Sequence, residues 1–202
     1  MRFRFPILTL AFVACAAPAF GQLSPIERAI VNAIDQRRGA AIDLLARSVN
    51  VPSATENHEG VKRVADLYAA ELAPLGFETT WVDQSQVGRA GHFVAVHPGT
   101  KGKRLLIIGH LDTVLQGEPF RRDGRLGYGS GTADMKSGNA IAIEALRALH
   151  AAGRLDDRQV IVAFTGDEED TGKPYDVSRA ALIDAAKRSD VALAFEGYEP
   201  GT

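Results

Sequence analysis

His110, Asp134, Glu169 and Glu196 are the side chains whose types and placement point to chemistry: one imidazole and three carboxylates, each just past a predicted strand or at the entrance to a predicted helix. A mixed nitrogen and oxygen set of this kind suits a divalent cation. Without positive charge among them, carboxylates drawn to one point repel and are pushed toward protonation, so gathering them makes sense around a metal. Taken singly, none is distinctive. His110-Leu111-Asp112 is a short spacing, Asp167-Glu168-Glu169-Asp170 also reads as a solvated acidic loop, and Asp134 also reads as the cap of the helix that follows. Their conjunction carries the reading.

The hydrophobic pattern shows which elements must hold these residues. Leu105-Leu106-Ile107-Ile108 stops at Gly109 and looks like a strand buried on both faces; in open α/β sheets ligands gather beyond the carboxyl ends of such strands. The design recurs at 160–165, which runs into the acidic loop, and at 191–195, which runs into Glu196. Three buried strands are expected, each ending in an acid or an imidazole. Ser24-Pro25-Ile26-Glu27 reads as a helix start with a capping box and a proline at the first helical position. Apolar spacing from Ile26 to Leu45 then predicts a helical run with Gly39 as its weak link. Asn57 caps a second helix whose apolar face is Val61, Val64, Ala65, Tyr68 and Leu72, ended by Pro74 and Gly76. Residues 77–82 and 93–96 are short strand candidates, and the stretch from Val114 to Asp134 is a glycine- and charge-rich functional loop. A helix at 137–152 is apolar nearly all round and belongs against the sheet, and a further helix spans 177–187. The alternation predicts an α/β fold: a mixed, mainly parallel sheet with helices on both faces.

With 46% apolar and 24% charged residues, the 202-residue chain has the composition of a globular protein with one core. Residues 1–21 read differently: Arg2 and Arg4 precede a short apolar stretch and small residues, the pattern of a secretory signal peptide cleaved after Ala19 or Gly21. Its apolar part is shorter than the roughly 20 residues of a spanning helix. The expected location is therefore secreted or periplasmic. Cys15, the single cysteine, falls in this leader, so the mature chain has no disulfide or thiol chemistry. Phe12 and the shortness of the leader count against lipidation at Cys15. Removing Arg2 and Arg4 takes the formal charge from −2 to −4, which suggests neither nucleic acid nor an anionic membrane as partner.

Three segments, Gly109-His110-Leu111-Asp112-Thr113-Val114, Gly129 through Gly138 with Asp134-Met135-Lys136 at its centre, and Thr165-Gly166-Asp167-Glu168-Glu169, resemble in the same order the signatures of the aminoacylase and glutamate carboxypeptidase family of di-zinc metallopeptidases. Val51-Pro52-Ser53 is similar to the family's opening loop. The stretch from Ser178 to Ile183 and the closing Phe195-Glu196 resemble its glutamate carboxypeptidase branch. The resemblance implies that His110 binds one zinc, Asp134 bridges two, Glu169 binds the second and Glu196 completes the first. Asp112 would orient His110 through its other ring nitrogen, and Glu168 would be the general base. Adjacency alone does not decide between Glu168 and Glu169; the family does. The implied reaction is hydrolysis of an amide next to a free carboxylate in a small-molecule or peptide substrate, with water activated by metal and its proton passed by Glu168 to the leaving amine.

The resemblance also implies what this sequence lacks. Members of the family are longer, with a lid domain inserted after the strand ending at Glu196, through which they often pair, and a late zinc-ligand histidine. Residues 22–202 are thus expected to be the amino-terminal part of the catalytic domain, and a homodimer is expected only where the lid is present. His58, His92, His97 and His150 do not fit the missing ligand and are expected at the surface or on helices. The competing reading is a truncated, inactive remnant with weak or no metal binding. Retention of every ligand position and the base position in this stretch argues against it, and a purely structural cation site leaves the adjacent glutamate unexplained.

Overall fold

A computed structural model describes residues 22–114 and 117–197. The leader read at 1–21, with Cys15, lies outside the described residues. In chain order the elements are α1 (Pro25–Gln36), α2 (Arg38–Val49), α3 (His58–Leu72), β1 (Glu78–Asp83), β2 (Gly91–His97), β3 (Leu105–His110), β4 (Arg121–Asp123), β5 (Leu126–Tyr128), α4 (Ser137–Ala151), β6 (Val160–Thr165), α5 (Tyr175–Ser178), α6 (Ala180–Lys187) and β7 (Val191–Ala194). Five strands form one sheet in the order β1-β2-β6-β3-β7, and β4 and β5 form a separate hairpin. β6, β3 and β7 pair in parallel, whereas β2 is antiparallel to both β1 and β6, so four of the five strands share one direction. The sheet is mixed and mainly parallel, as the sequence pattern leads one to expect.

Side chains alternate between the faces with the period of two that a strand imposes. Ile107, Val160, Val162, Phe164, Phe93 and Ala95 face a large core shared with Leu44 of α2, the Val61, Val64, Ala65, Tyr68 and Leu72 stripe of α3, and Ile143 and Leu146 of α4. Leu106, Ile161, Ala163 and Val94 face the other side, under Leu182 and Ala185 of α6. Helices therefore cover both faces. No helix among the described residues is long and apolar enough to cross a membrane.

Local chemistry explains most boundaries. Ser24 and Glu27 exchange the two hydrogen bonds of a capping box at α1, and Asn57 Oδ1 accepts from Gly60 N–H at 3.0 Å to start α3. Gly76, at φ +86°, ends the turn after α3. The long amino-terminal helical run is broken at Arg37 rather than weakened at Gly39. Arg37 leaves the helical register and its Nε donates to Glu144 Oε2 on α4 at 2.7 Å.

Three other expectations change. β7 is an edge strand: Val191 is half-buried, while Ala192, Leu193 and Ala194 are exposed, because it pairs with β3 alone among the described residues. The helix expected at 177–187 is divided at Arg179 into α5 and α6. His92 and His97 lie on β2, His92 only 2% exposed, while His58 and His150 are helical as expected.

Candidate metal centre

β3 and β6 run side by side with His110 opposite Thr165, so the imidazole and the acidic loop emerge together at the carboxyl end of the sheet. Gly109 lets β3 pass under α4: a Cβ there would lie 2.4 Å from Asn139 Oδ1 and 2.8 Å from Phe164. Asn139 Nδ2 in turn donates to the His110 carbonyl at 2.7 Å. On the neighbouring strand Ile108 pairs with Ala194, which brings Glu196, two residues further on, level with His110.

Asp134 comes from an irregular turn, 132–136, entered through Gly131 at φ +72°. Its Asp134–Met135 peptide is cis. The turn is anchored by Lys136, only 1% exposed, whose Nζ donates to the carbonyls of Ser48 and Val51, each at 3.0 Å. Burial pushes that ammonium down to about 8.

The buried His110 ring presents Nε2 to Asp134 Oδ1 at 2.9 Å and to Glu196 Oε1 at 3.4 Å. The ligand atoms of His110, Asp134 and Glu196 all lie within 4.8 Å of one another. Tetrahedral bonds of about 2.0–2.1 Å put neighbouring ligand atoms about 3.3 Å apart, within that spread, so the set fits a zinc-sized ion in geometry and in donor chemistry. The charge balance agrees. Burial pushes the His110 imidazole down, but the hydrogen bond and charge of Asp112, then Asp134 and Glu196, outweigh it and carry it up to about 10. Glu196 is held above the usual carboxylate range, first by burial and also by Asp134, against the pull of His110. Negative charge gathered around His110 contributes to both shifts.

Glu169 does not join the three. It lines a cleft of about 180 Å³ together with Asp134, Thr113, Val114 and Gly131, and burial followed by the charge of Asp134 raises its carboxyl. Glu168 is exposed and turns into a cleft of about 350 Å³ that it shares with His110, Met135, Arg179, Leu182 and Glu196.

Asp112 joins the two halves of the site. It is fully buried; its carbonyl and Oδ1 lie 3.0 and 3.5 Å from His110 Nδ1, and Oδ2 accepts from Thr55 Oγ1 at 2.7 Å. Its two oxygens also accept from the Glu168 and Glu169 N–H groups at 3.1 and 3.2 Å. Burial raises this carboxyl, yet the donors from His110, Thr55 and Glu168 together hold it below the usual range. Thr55, Lys136 and Asn139 thus support the site although the sequence pattern did not single them out. Lys136 sits inside a recognised motif, but only its burial shows its use.

The geometry invites comparison with known proteins. Residues 106–201 match the family described as Peptidase family M20/M25/M40. Carboxypeptidase G2 of Pseudomonas sp. (strain RS-16) is 33% identical over 200 residues, covering 96% of this chain and 46% of that protein. A succinyl-diaminopimelate desuccinylase of Verminephrobacter eiseniae is 33% identical over 172 residues, 74% of this chain and 40% of that protein. Among solved structures, the di-peptidase Dug1p from Saccharomyces cerevisiae shares the fold with a TM-score of 0.71 at 17% identity, over 87% of this chain and 42% of that one. The chain spans less than half the length of these relatives. The matched residues contain His110, Asp112, Asp134, Glu168, Glu169 and Glu196, and the chain belongs to peptidase family M20/M25/M40.

Proposed function

We propose that this chain carries the metal-binding and base residues of an exported zinc-dependent amidohydrolase that cleaves an amide next to a free carboxylate. The observation that carries the reading is the convergence of His110 Nε2, Asp134 and Glu196 within 4.8 Å beside a cleft into which Glu168 projects. A zinc ion held by these three residues would polarise a carbonyl and lower the pKa of water. Asp134 touches His110 and also lines the cleft that holds Glu169, so a second ion there would be held by Asp134 and Glu169.

Glu168 suits proton transfer because it is exposed at the cleft and stands outside the ligand cluster. It takes a proton from the attacking water and delivers it to the departing nitrogen, so that amide and water become carboxylate and amine. Asp112 holds the imidazole ring in place and, through two N–H groups, the backbone that carries Glu168. Ile108, Met135, Leu182 and Ala194 give the cleft an apolar floor suited to the hydrocarbon part of a small acylated amino acid. The relatives named carboxypeptidase and desuccinylase support that substrate class. The leader pattern supports export, which amino-terminal sequencing of the mature protein tests.

The test of function uses the full product of the gene. Bound zinc is counted per chain and release of glutamate from an N-acyl-glutamate is followed. Two zinc ions with turnover, both lost in His110→Asn, support the proposal. A protein that takes up no zinc, or takes it up and hydrolyses no N-acyl amino acid, overturns it.

A further inference from the structure

We propose that Arg179 is a positioning residue: with buried Asp167 it grips the peptide unit that carries Glu168 and so sets where the base stands. The inference rests on the reading of Glu168 as base. The peptide between Asp167 and Glu168 is held at both ends. Its carbonyl, that of Asp167, accepts from Arg179 Nη2 at 3.1 Å, and its N–H, that of Glu168, donates to Asp112 Oδ1 at 3.1 Å. With both ends fixed the plane of the peptide cannot rotate, and the direction in which Glu168 leaves the backbone is fixed with it.

The guanidinium is built into this position. Asp167 is fully buried and does not belong to the ligand cluster. Its Oδ2 accepts from Gly172 N–H at 2.9 Å and its Oδ1 from Arg179 Nη1 at 2.5 Å. Arg179 Nη2 also donates to Thr171 Oγ1 at 2.5 Å, closing the loop that follows the base. A planar fork with several donors can satisfy a carboxylate, a carbonyl and a hydroxyl together; an ammonium cannot hold the same three with that geometry. The helix α5–α6 is interrupted at Arg179, which is where the side chain must leave to reach Asp167. From the opposite side, Gly166 N–H donates to His92 Nδ1 at 3.3 Å, which leaves His92 Nε2–H to donate to the Ser178 carbonyl at 2.6 Å. Strand β2, the base loop and the end of α5 are thereby tied into one unit. Gly166 has no room for a side chain there, since a Cβ would lie 2.2 Å from Gly91 O. Among the ionisable groups nearest the base, Asp112 and Arg179 each hold one end of its peptide, and neither belongs to the ligand cluster.

The experiment compares the full gene product with its Arg179→Gln, Arg179→Ala, Thr171→Val and Glu168→Gln variants. Four quantities are read: kcat, KM, zinc per chain, and amide hydrogen exchange of residues 166–172 against residues 60–72. For Arg179→Gln we expect kcat to fall ten- to a hundredfold with KM and zinc content within twofold. Exchange in 166–172 should quicken at least tenfold while 60–72 is unchanged, and ethylguanidinium added to Arg179→Ala should restore part of kcat. Thr171→Val, which keeps the buried ion pair, should shift exchange the same way by a smaller factor. Unchanged exchange in 166–172, or a kcat loss that tracks loss of zinc, overturns the proposal. If Glu168→Gln keeps wild-type kcat, the reading of the base fails instead, and exchange alone then decides whether Arg179 holds the loop.

Discussion

At the scale of single residues, the Asp112 carboxylate does what no neutral side chain of its shape could. It accepts from Thr55 and from two backbone N–H groups while facing His110 Nδ1, so nearly all its lone pairs meet donors. In Asp112→Asn one oxygen becomes an NH₂ group and points a donor at donors. We expect the zinc affinity to fall 10- to 100-fold, as when a partner behind a ligand histidine is lost, and stability to drop by about 1–3 kcal/mol. Zinc titration and urea unfolding check both, and an unchanged affinity would remove Asp112 from the orienting role. Tyr68 gives a prediction that does not involve the metal. It is buried against Phe164. Burial pushes its hydroxyl up to about 12, against a smaller downward pull from Ser48 and Asn139, neither of which meets it in good hydrogen-bond geometry. The folded state keeps this proton where the unfolded chain, with an ordinary tyrosine, loses it. Its contribution is therefore intact below pH 10 and declines as pH rises from about 10 to about 12, by roughly 2–3 kcal/mol. Urea unfolding of Tyr68→Phe should match the wild type at pH 8 to within about 1 kcal/mol, since the lost hydroxyl is poorly bonded. Between pH 10 and 12 the variant should lose less stability. Parallel pH profiles would rule this out.

At the scale of elements, packing against α4 decides where β3 can deliver its histidine. Gly109→Ala places a methyl against Asn139 Oδ1 and Phe164, an overpacking that should cost about 1–3 kcal/mol. It also pushes on the side chain that holds the His110 carbonyl, so weaker zinc binding should accompany the fall in Tm; a variant with wild-type Tm and affinity would mean that α4 yields freely. The same elements show what the sequence could reveal. β6 and the body of β3 were legible because continuous aliphatic runs ending in a glycine have few other interpretations, and α3 because its cap and its apolar stripe agree. β7 carries a similar run, yet among the described residues it is an exposed edge: a local pattern encodes strand propensity, while burial depends on which neighbour lies alongside. The hairpin of β4 and β5 was hidden in a glycine- and charge-rich loop, since each strand has three residues and too few to show alternation. His92 misled for the opposite reason. A polar residue in a strand looks solvent-facing until the partners of both its ring nitrogens, here Gly166 N–H and Ser178 O, are brought to it from 74 and 86 residues away. Lys136 was hidden in the same way, because a buried cation is recognisable only through its acceptors, here the carbonyls of Ser48 and Val51, 88 and 85 residues away.

At the scale of the whole molecule, the three clustered residues that could hold an ion come from three separate parts of the chain: the end of β3, the turn before α4, and the segment after β7. An ion bound there is a cross-link in the folded state with no counterpart in the unfolded one, so its binding free energy adds to stability. At 100 times the dissociation constant that addition is about 2.7 kcal/mol, or about 5–10 °C in Tm for a domain of this size. The gain should not be spread evenly. β6 lies between β2 and β3 and is buried along its length, whereas β7 has one strand neighbour among the described residues and three exposed residues. Local opening starts where few contacts resist it, and here that is β7. Chelation should therefore lower Tm by several degrees and speed amide exchange in residues 191–197 far more than in 160–165, and zinc should reverse both. His110→Asn should show the chelated behaviour with or without zinc. If chelation instead loosened β6 and β7 equally, the ion would be acting on the core as a whole, and the picture of a metal fastening an edge strand to the sheet would have to be abandoned.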